Sequence, residues 1–200
     1  MKIKVLESAL AHIGHRLYSL ERKAQDLKSL LKTPISLQPL VGSANRSQQE
    51  VVDALDQIQK DLVVTAQPLL DDWLMALGAV RGEQVTFSIK GRQCYVSKMP
   101  GGHYYHSAIA IDEAIVTGTI SEMKLIYCGK KVCIVLDQAQ VAHHDGTRTS
   151  IQTFPEGHRV RYGNEYQRRT EIELITGASV VEIGIPLQAK YRENLTLTKA

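Results

Sequence analysis

Near the amino end, apolar residues fall at Leu6, Leu10, Ile13, Leu17, Leu20, Ala24, Leu27 and Leu31, spaced alternately by four and three. That spacing draws two adjacent lines along one helix. Leu10, Leu17, Ala24 and Leu31 take the a positions of a heptad, and Leu6, Ile13, Leu20 and Leu27 the d positions. Pro34 closes the run. Gly14 inside it costs the helix roughly 1 kcal/mol relative to alanine, which only packing on a partner would offset. Ser47-Gln-Gln-Glu50 has the form of a capping box, so a second helix is predicted to start there and to continue the spacing through Val51, Leu55, Ile58 and Leu62. Pro68 stands where a further helix would begin, with Asp71 and Asp72 in its first turn. Leu69, Leu70, Trp73, Leu74 and Leu77 give that last stretch a broad apolar face, and residues 34–46 read as the connecting loop.

After Gly82 the period shortens to about two. Val85, Phe87 and Ile89 alternate with Thr86, Ser88 and Lys90, and short strands follow at 93–97, 104–111, 114–120, 124–128 and 132–136, with more to about residue 190. Lys124–Cys128 and Val132–Leu136 are apolar at almost every position and read as a central hairpin covered on both faces. His158–Tyr162 and Tyr166–Ile175 read as a second hairpin, turned by Gly163-Asn164-Glu165, in which Arg161 faces Gln167 and Arg159 faces Arg169. The fold expected is α+β. A helical segment (coiled coil or helical hairpin) over residues 1–80 precedes an all-β, sandwich or jelly-roll-like module over 83–195.

Composition narrows this only a little. A formal charge of +3 and a pI near 8.7 fall short of the bias that announces nucleic acid by itself. Cys94, Cys128 and Cys133 include no close pair, so they read as buried thiols in a reducing compartment. No apolar run approaches the ~20 residues of a membrane helix. Glu7, His12 and His15 interrupt the stretch that a signal peptide needs, so the chain is expected to be cytoplasmic when made and off the membrane.

The candidate chemistry lies in three places. The loop 100-PGGHYYH-106 carries paired histidines, and 143-HHDGTRTS-150 sets a His-Asp pair beside hydroxyls but has the composition of a surface turn. The ribbon with Arg159, Arg161, Arg168 and Arg169, interleaved with Tyr162 and Tyr166, could track a phosphate backbone. Glu165, Glu171 and Glu173 on the same ribbon favour cross-strand ion pairing instead. No Gly-x-Ser-x-Gly elbow, P-loop or dinucleotide fingerprint occurs.

PGGHYYH, with 112-DEAIVTGTI-120 and 155-PEGHRVRYGN-164, resembles the two motifs of the cupins, small β jelly rolls. The resemblance implies a metal held by His103, His106, Glu113 and His158. Two tyrosines separate the first two histidines, and on a strand that offset turns them to opposite faces. The helix-then-sheet layout resembles that of structural proteins in multi-subunit assemblies, bacteriophage tails, necks and fibres among them.

The leading expectation is therefore a non-enzymatic assembly protein without a cofactor, able to enter a virion or other large particle. It would associate with its own copies through Leu6, Leu10, Ile13, Leu17, Leu20, Leu27 and Leu31 and touch other subunits through the β module. A cupin-like protein binding a metal or a sugar-type ligand is the first alternative, and a nucleic-acid binder using the arginine ribbon the second. In a parallel bundle Arg16 would attract Glu21 of the next heptad while Lys23 would repel Lys28, so these charges do not choose between self-association and a hairpin within one chain.

Overall fold

A computed structural model describes residues 2–32, 41–91, 93–98, 104–109, 113–144, 149–151, 158–162, 172–177 and 179–199. Two long helices, α1 (Ile3–Lys32) and α2 (Val41–Ala76), precede the strands. These are β1 (Gln84–Lys90), β2 (Gln93–Lys98), β3 (Tyr104–Ile109), β4 (Glu113–Ile126), β5 (Lys131–His144), β6 (Thr149–Ile151), β7 (His158–Tyr162), β8 (Ile172–Thr176), β9 (Val180–Pro186) and β10 (Leu195–Lys199). A 3-10 turn at Ala189–Tyr191 leads into β10. The class is α+β.

The helical part differs from expectation at two points. Helix α2 begins at Val41, so Ser47 lies inside it and is not its cap. It also runs unbroken through Pro68, where a new helix was expected to start. Proline removes the N–H that would bond the carbonyl of Val64. Val64 is 71% exposed, and Pro68 is exposed too, so water can serve that carbonyl and the helix continues.

Among the described residues all pairings are antiparallel, and the strands form one ten-stranded sheet in the order β10-β1-β4-β5-β9-β8-β7-β2-β3, with β6 beside β5. β1 and β2, though consecutive in the chain, do not pair with each other. β1 lies between β10 and β4, while β2 lies between β7 and β3 at the far side of the sheet. The stretch 114–120 and residues 124–126 belong to one strand, β4, whose pairing with β5 absorbs register shifts around Gly118 and Ser121, while Tyr127 and Cys128 fall in the turn. β5 is central, and Val132, Cys133, Ile134, Val135 and Leu136 are all buried, as continuous apolar strands require.

β7 and β8 form a hairpin in a different register from the one expected. Arg161 faces Glu173 and Arg159 faces Ile175, so the connection spans residues 163–171 and not three residues. The partners differ by six positions. An even shift preserves the inside–outside alternation, so hydrophobic pattern alone cannot detect it.

Helices and sheet share one core. Leu6, Leu10, Leu70, Trp73 and Leu74 are buried with Phe87, Ile120, Met123, Ile134 and Leu136. A clasp fastens the hairpin's base. Arg192, after the 3-10 turn, donates to the carbonyls of Pro186 (2.9 Å) and Leu187, pairs with the Glu7 carboxylate of α1, and lies 5.7 Å from the centre of the Trp73 ring. The apolar core therefore crosses the boundary expected near residue 80.

Candidate association surface of the helical hairpin

The seven-residue spacing of α1 draws two apolar lines, and the fold uses them differently. On the a line, Leu10 and Ala24 are buried and Leu17 is half-buried. On the d line, only Leu6, at the base, is buried; Ile13, Leu20 and Leu27 are half-buried. Leu31 lies in the last turn of α1. Of the seven residues expected to meet sister subunits, Leu6 and Leu10 are thus filled into the chain's own core, and the d line above them is only partly covered.

α2 repeats the arrangement. Val52, Ala66, Leu70 and Trp73 are buried, Leu55, Leu62 and Leu69 are half-buried, and Val51 and Ile58, seven residues apart, are 49% and 47% exposed. The Glu21–Gln59 contact (3.2 Å) and the Lys28–Asp56 ion pair (3.1 Å) set the two helices antiparallel and level. Glu21 and Lys28, the residues whose charges left self-association undecided, are both engaged within the hairpin.

The side of the hairpin toward the sheet is only partly filled. There, a cleft of about 480 Å³ lies between Gly14, Leu17, Tyr18 and Glu21 of α1, Gln59, Val63, Ala66, Gln67 and Leu70 of α2, and residues Glu122–Gly129 of β4 and its turn. At its floor Gly14 meets the β4–β5 turn. A Cβ built on Gly14 would stand 2.2 Å from the Cα of Gly129. Tyr127, Cys128 and Gly129 in that turn all have left-handed backbone, with φ of 51°, 58° and 74°. For the two non-glycine residues this is strained. The Tyr127 hydroxyl donates to Glu173 (2.7 Å) and so anchors the turn.

At 100° per residue, Ile13, Leu20 and Leu27 lie about 110° around α1 from the cleft-lining positions, and Val51 and Ile58 lie a similar angle around α2. Both lines therefore emerge on the face of the hairpin turned away from the sheet. The helices flanking that face differ in charge. α1 holds six Lys or Arg against three Asp or Glu, formally +3; α2 holds two against six, formally −4.

Beneath the opposite face of the sheet lie two polar clusters. Lys124 donates to Glu182 (3.0 Å), and this hydrogen bond raises the lysine's pKa. Burial, with the Glu182 carboxylate adding to it, pushes the neighbouring Cys133 thiol up to about 12, which makes it inert. Lys131 and Glu173 are fully buried with Nζ and Oε2 3.7 Å apart, and Nζ sits 5.0 Å from the centre of the Tyr127 ring. Gly184 lies beside this pair, and a Cβ there would press most closely on Ile126, at 3.3 Å. Cys128 is half-buried, and both Cys128 and Cys133 are free thiols.

Of the residues suggested for a metal, the three that are described lie on three different strands. Glu113 begins β4, where its carboxylate accepts from the Ser88 hydroxyl, and His106 is on β3, six strand positions away along the sheet. His158 opens β7 opposite Thr176. Val96 of β2 faces both His106 and Arg159, which leaves His158 one residue out of that line. His103 lies outside the described residues, as does the 145–148 turn, with His143 and His144 ending β5. Among the described residues there is no group of three or more His, Cys, Asp or Glu that could hold a metal ion. Of the four arginines of the ribbon, Arg159 and Arg161 are on β7, and Arg168 and Arg169 lie outside the described residues. No described helix is long and apolar enough to cross a membrane. No protein-family model, no curated protein and no solved structure matches the chain.

Proposed function

We propose that the protein is a non-enzymatic assembly component whose helical hairpin joins subunits and whose sheet offers surface to neighbours. One observation carries this reading. Apolar residues at seven-residue spacing, Ile13, Leu20 and Leu27 on α1 and Val51 and Ile58 on α2, stand half in water where the chain's own sheet leaves the hairpin uncovered, and such lines are what a partner would bury. Helices of 30 and 36 residues are about 45 and 54 Å long, more than their attachment to the sheet near Leu10, Gly14, Leu70 and Trp73 requires. On this reading the chain belongs with the subunits of multi-component particles such as bacteriophage tails, necks and fibres. Its broad antiparallel sheet would curl toward a sandwich, since twisted open sheets of about ten strands seldom stay flat.

The test is the mass of the full chain in solution by light scattering across a range of concentrations. A multiple of 22.3 kDa supports the reading, and a mass that stays at 22.3 kDa throughout refutes it. Removing the helices would not serve as the control. Trp73 and Leu74 are part of the sheet's core, so the remainder would expose apolar surface of its own.

A further inference from the structure

We infer that the partner of the hairpin is a second copy of this chain, docked face to face with both hairpins pointing the same way, so that α1 of each protomer lies on α2 of the other in a four-helix bundle. This rests on the assembly reading above and adds the occupant, the orientation and the residues.

Charge selects the orientation. Two hairpins meeting through the face away from the sheet can be related by a two-fold axis along the helices or by one across them. The crosswise axis lays α1 on α1 and α2 on α2, setting like excess charge against like. The lengthwise axis lays the basic helix on the acidic one. Inside the chain, Lys28 and Glu21 are engaged with Asp56 and Gln59, whereas Arg16 and Lys23, seven residues apart on the rim of the uncovered face, point away from that contact. The Glu21–Gln59 contact puts Asp61 level with about Ser19, between Arg16 and Lys23 in height. A lengthwise two-fold keeps heights unchanged, so Asp61 of the second copy arrives between those two cations.

The apolar lines interleave under the same operation. The Glu21–Gln59 contact sets Ile58 about two residues above Leu20 and the Lys28–Asp56 pair sets it about one residue below Leu27, so by either it stands between those two leucines in height. Side chains therefore alternate along the seam and do not collide. Both sheets stay on the outer sides of the bundle, because each hairpin keeps its own sheet on the face turned away from the partner.

The experiment is a charge-reversal cycle read by light scattering and by the dissociation constant from sedimentation. The parent should have twice the 22.3 kDa mass. Asp61→Arg alone, or Arg16→Asp with Lys23→Asp, should each weaken the dimer about tenfold, and combining all three should restore it. Leu20→Asp, at a half-buried position, should leave a monomer. Far-UV circular dichroism should be unchanged in every variant, and the restoration cannot arise from misfolding. A parent that associates but is indifferent to all these changes overturns this geometry and leaves the assembly reading standing. A monomeric parent overturns both. Weakening by the single-sided reversals without restoration also overturns the pairing of Asp61 with Arg16 and Lys23.

Discussion

Replacing Gly14 by alanine sets two well-measured effects against each other. In an isolated helix alanine is better than glycine by roughly 1 kcal/mol, so propensity alone predicts a more stable protein. In this fold the new methyl would lie 2.2 Å from the Cα and 2.5 Å from the nitrogen of Gly129. Reaching an ordinary contact of 3.4 Å requires the helix and the turn to part by about 1.2 Å. Both sides of the contact are backbone, so no side chain can swing aside. The turn is already held by left-handed Tyr127 and Cys128, and α1 is held by buried Leu10 beside it. Overpacking of this kind costs about 1–3 kcal/mol, and with only backbone to yield the upper part of that range applies. Net of propensity, Gly14→Ala should destabilise by about 1–2 kcal/mol, lowering the midpoint of thermal unfolding by roughly 3–6 °C for a chain of this size. Urea denaturation of the parent and variant gives the difference directly. Ser8→Ala, at an exposed position of the same helix, supplies the propensity effect alone and should raise stability slightly. If Gly14→Ala is as stable as the parent or more so, α1 does not pack on the β4–β5 turn as described. Gly129→Ala should cost more than Gly14→Ala, because its φ of 74° disfavours any side chain and its methyl would also meet the Ala11 carbonyl at 2.8 Å. The two together should cost less than their sum, since the first displacement makes room for the second.

Pro68→Ala should stabilise the protein by about 1–3 kcal/mol and strengthen the helical circular dichroism signal, because it returns an N–H to the exposed Val64 carbonyl; a loss of stability would mean that the proline shapes α2 in a way the packing needs. Glu173→Gln takes the carboxylate from a buried lysine and should cost about 3–5 kcal/mol in urea denaturation, whereas a cost under about 1 kcal/mol would show that Lys131 does not depend on it. The Cys133 thiol, with its pKa pushed from 9.0 to about 12 in the fold, should resist thiol reagents in the native protein at about pH 8 and react only after unfolding. Its folded pKa lies above the unfolded one, so the associated stability is intact below pH 9 and is lost as pH rises toward 12. Cys133→Val should flatten stability across that window, and an unchanged alkaline slope would rule out this thiol as its source.

How much of this could be read from the sequence depended on whether a feature had a period. The α1 heptad and the Val85-Phe87-Ile89 alternation named their elements, because burial follows the geometry of a helix or a strand directly. Pro68 misled, since local chemistry places proline at helix starts and cannot register that Val64, whose carbonyl it leaves unbonded, lies on an exposed side of the helix. β4 looked like two strands because Ser121 and Glu122 interrupt its apolar run, and a bulge is invisible until the partner strand is known. The register of β7 on β8 was equally hidden. Gly163-Asn164-Glu165 is an adequate three-residue turn, and moving Arg161 from Gln167 to Glu173 changes no residue's face. Where the candidate metal residues would lie was hidden for a related reason: a motif orders residues along the chain, whereas the order of strands, with β2 and β3 carried away from β1 and β4, decides which of the described ones are neighbours.

The heptad itself shows what a period leaves open. Seven-residue spacing fixes that a helix has two apolar lines side by side, but nothing in it says that both lines meet the same partner. Here the a line turns toward α2, and the e-position residues Glu21 and Lys28 go with it to Gln59 and Asp56. That rotation leaves the d line half in water with the g-position cations Arg16 and Lys23 along its rim. A hairpin within one chain and a bundle between chains were posed as rivals when read from the sequence alone. Divided lines make them compatible, because the first uses the a and e positions and leaves the d and g positions for the second. Gly14, at e, is where the sheet reaches the helix: having no side chain lets the sheet's own turn close on α1 on that side, away from the d line.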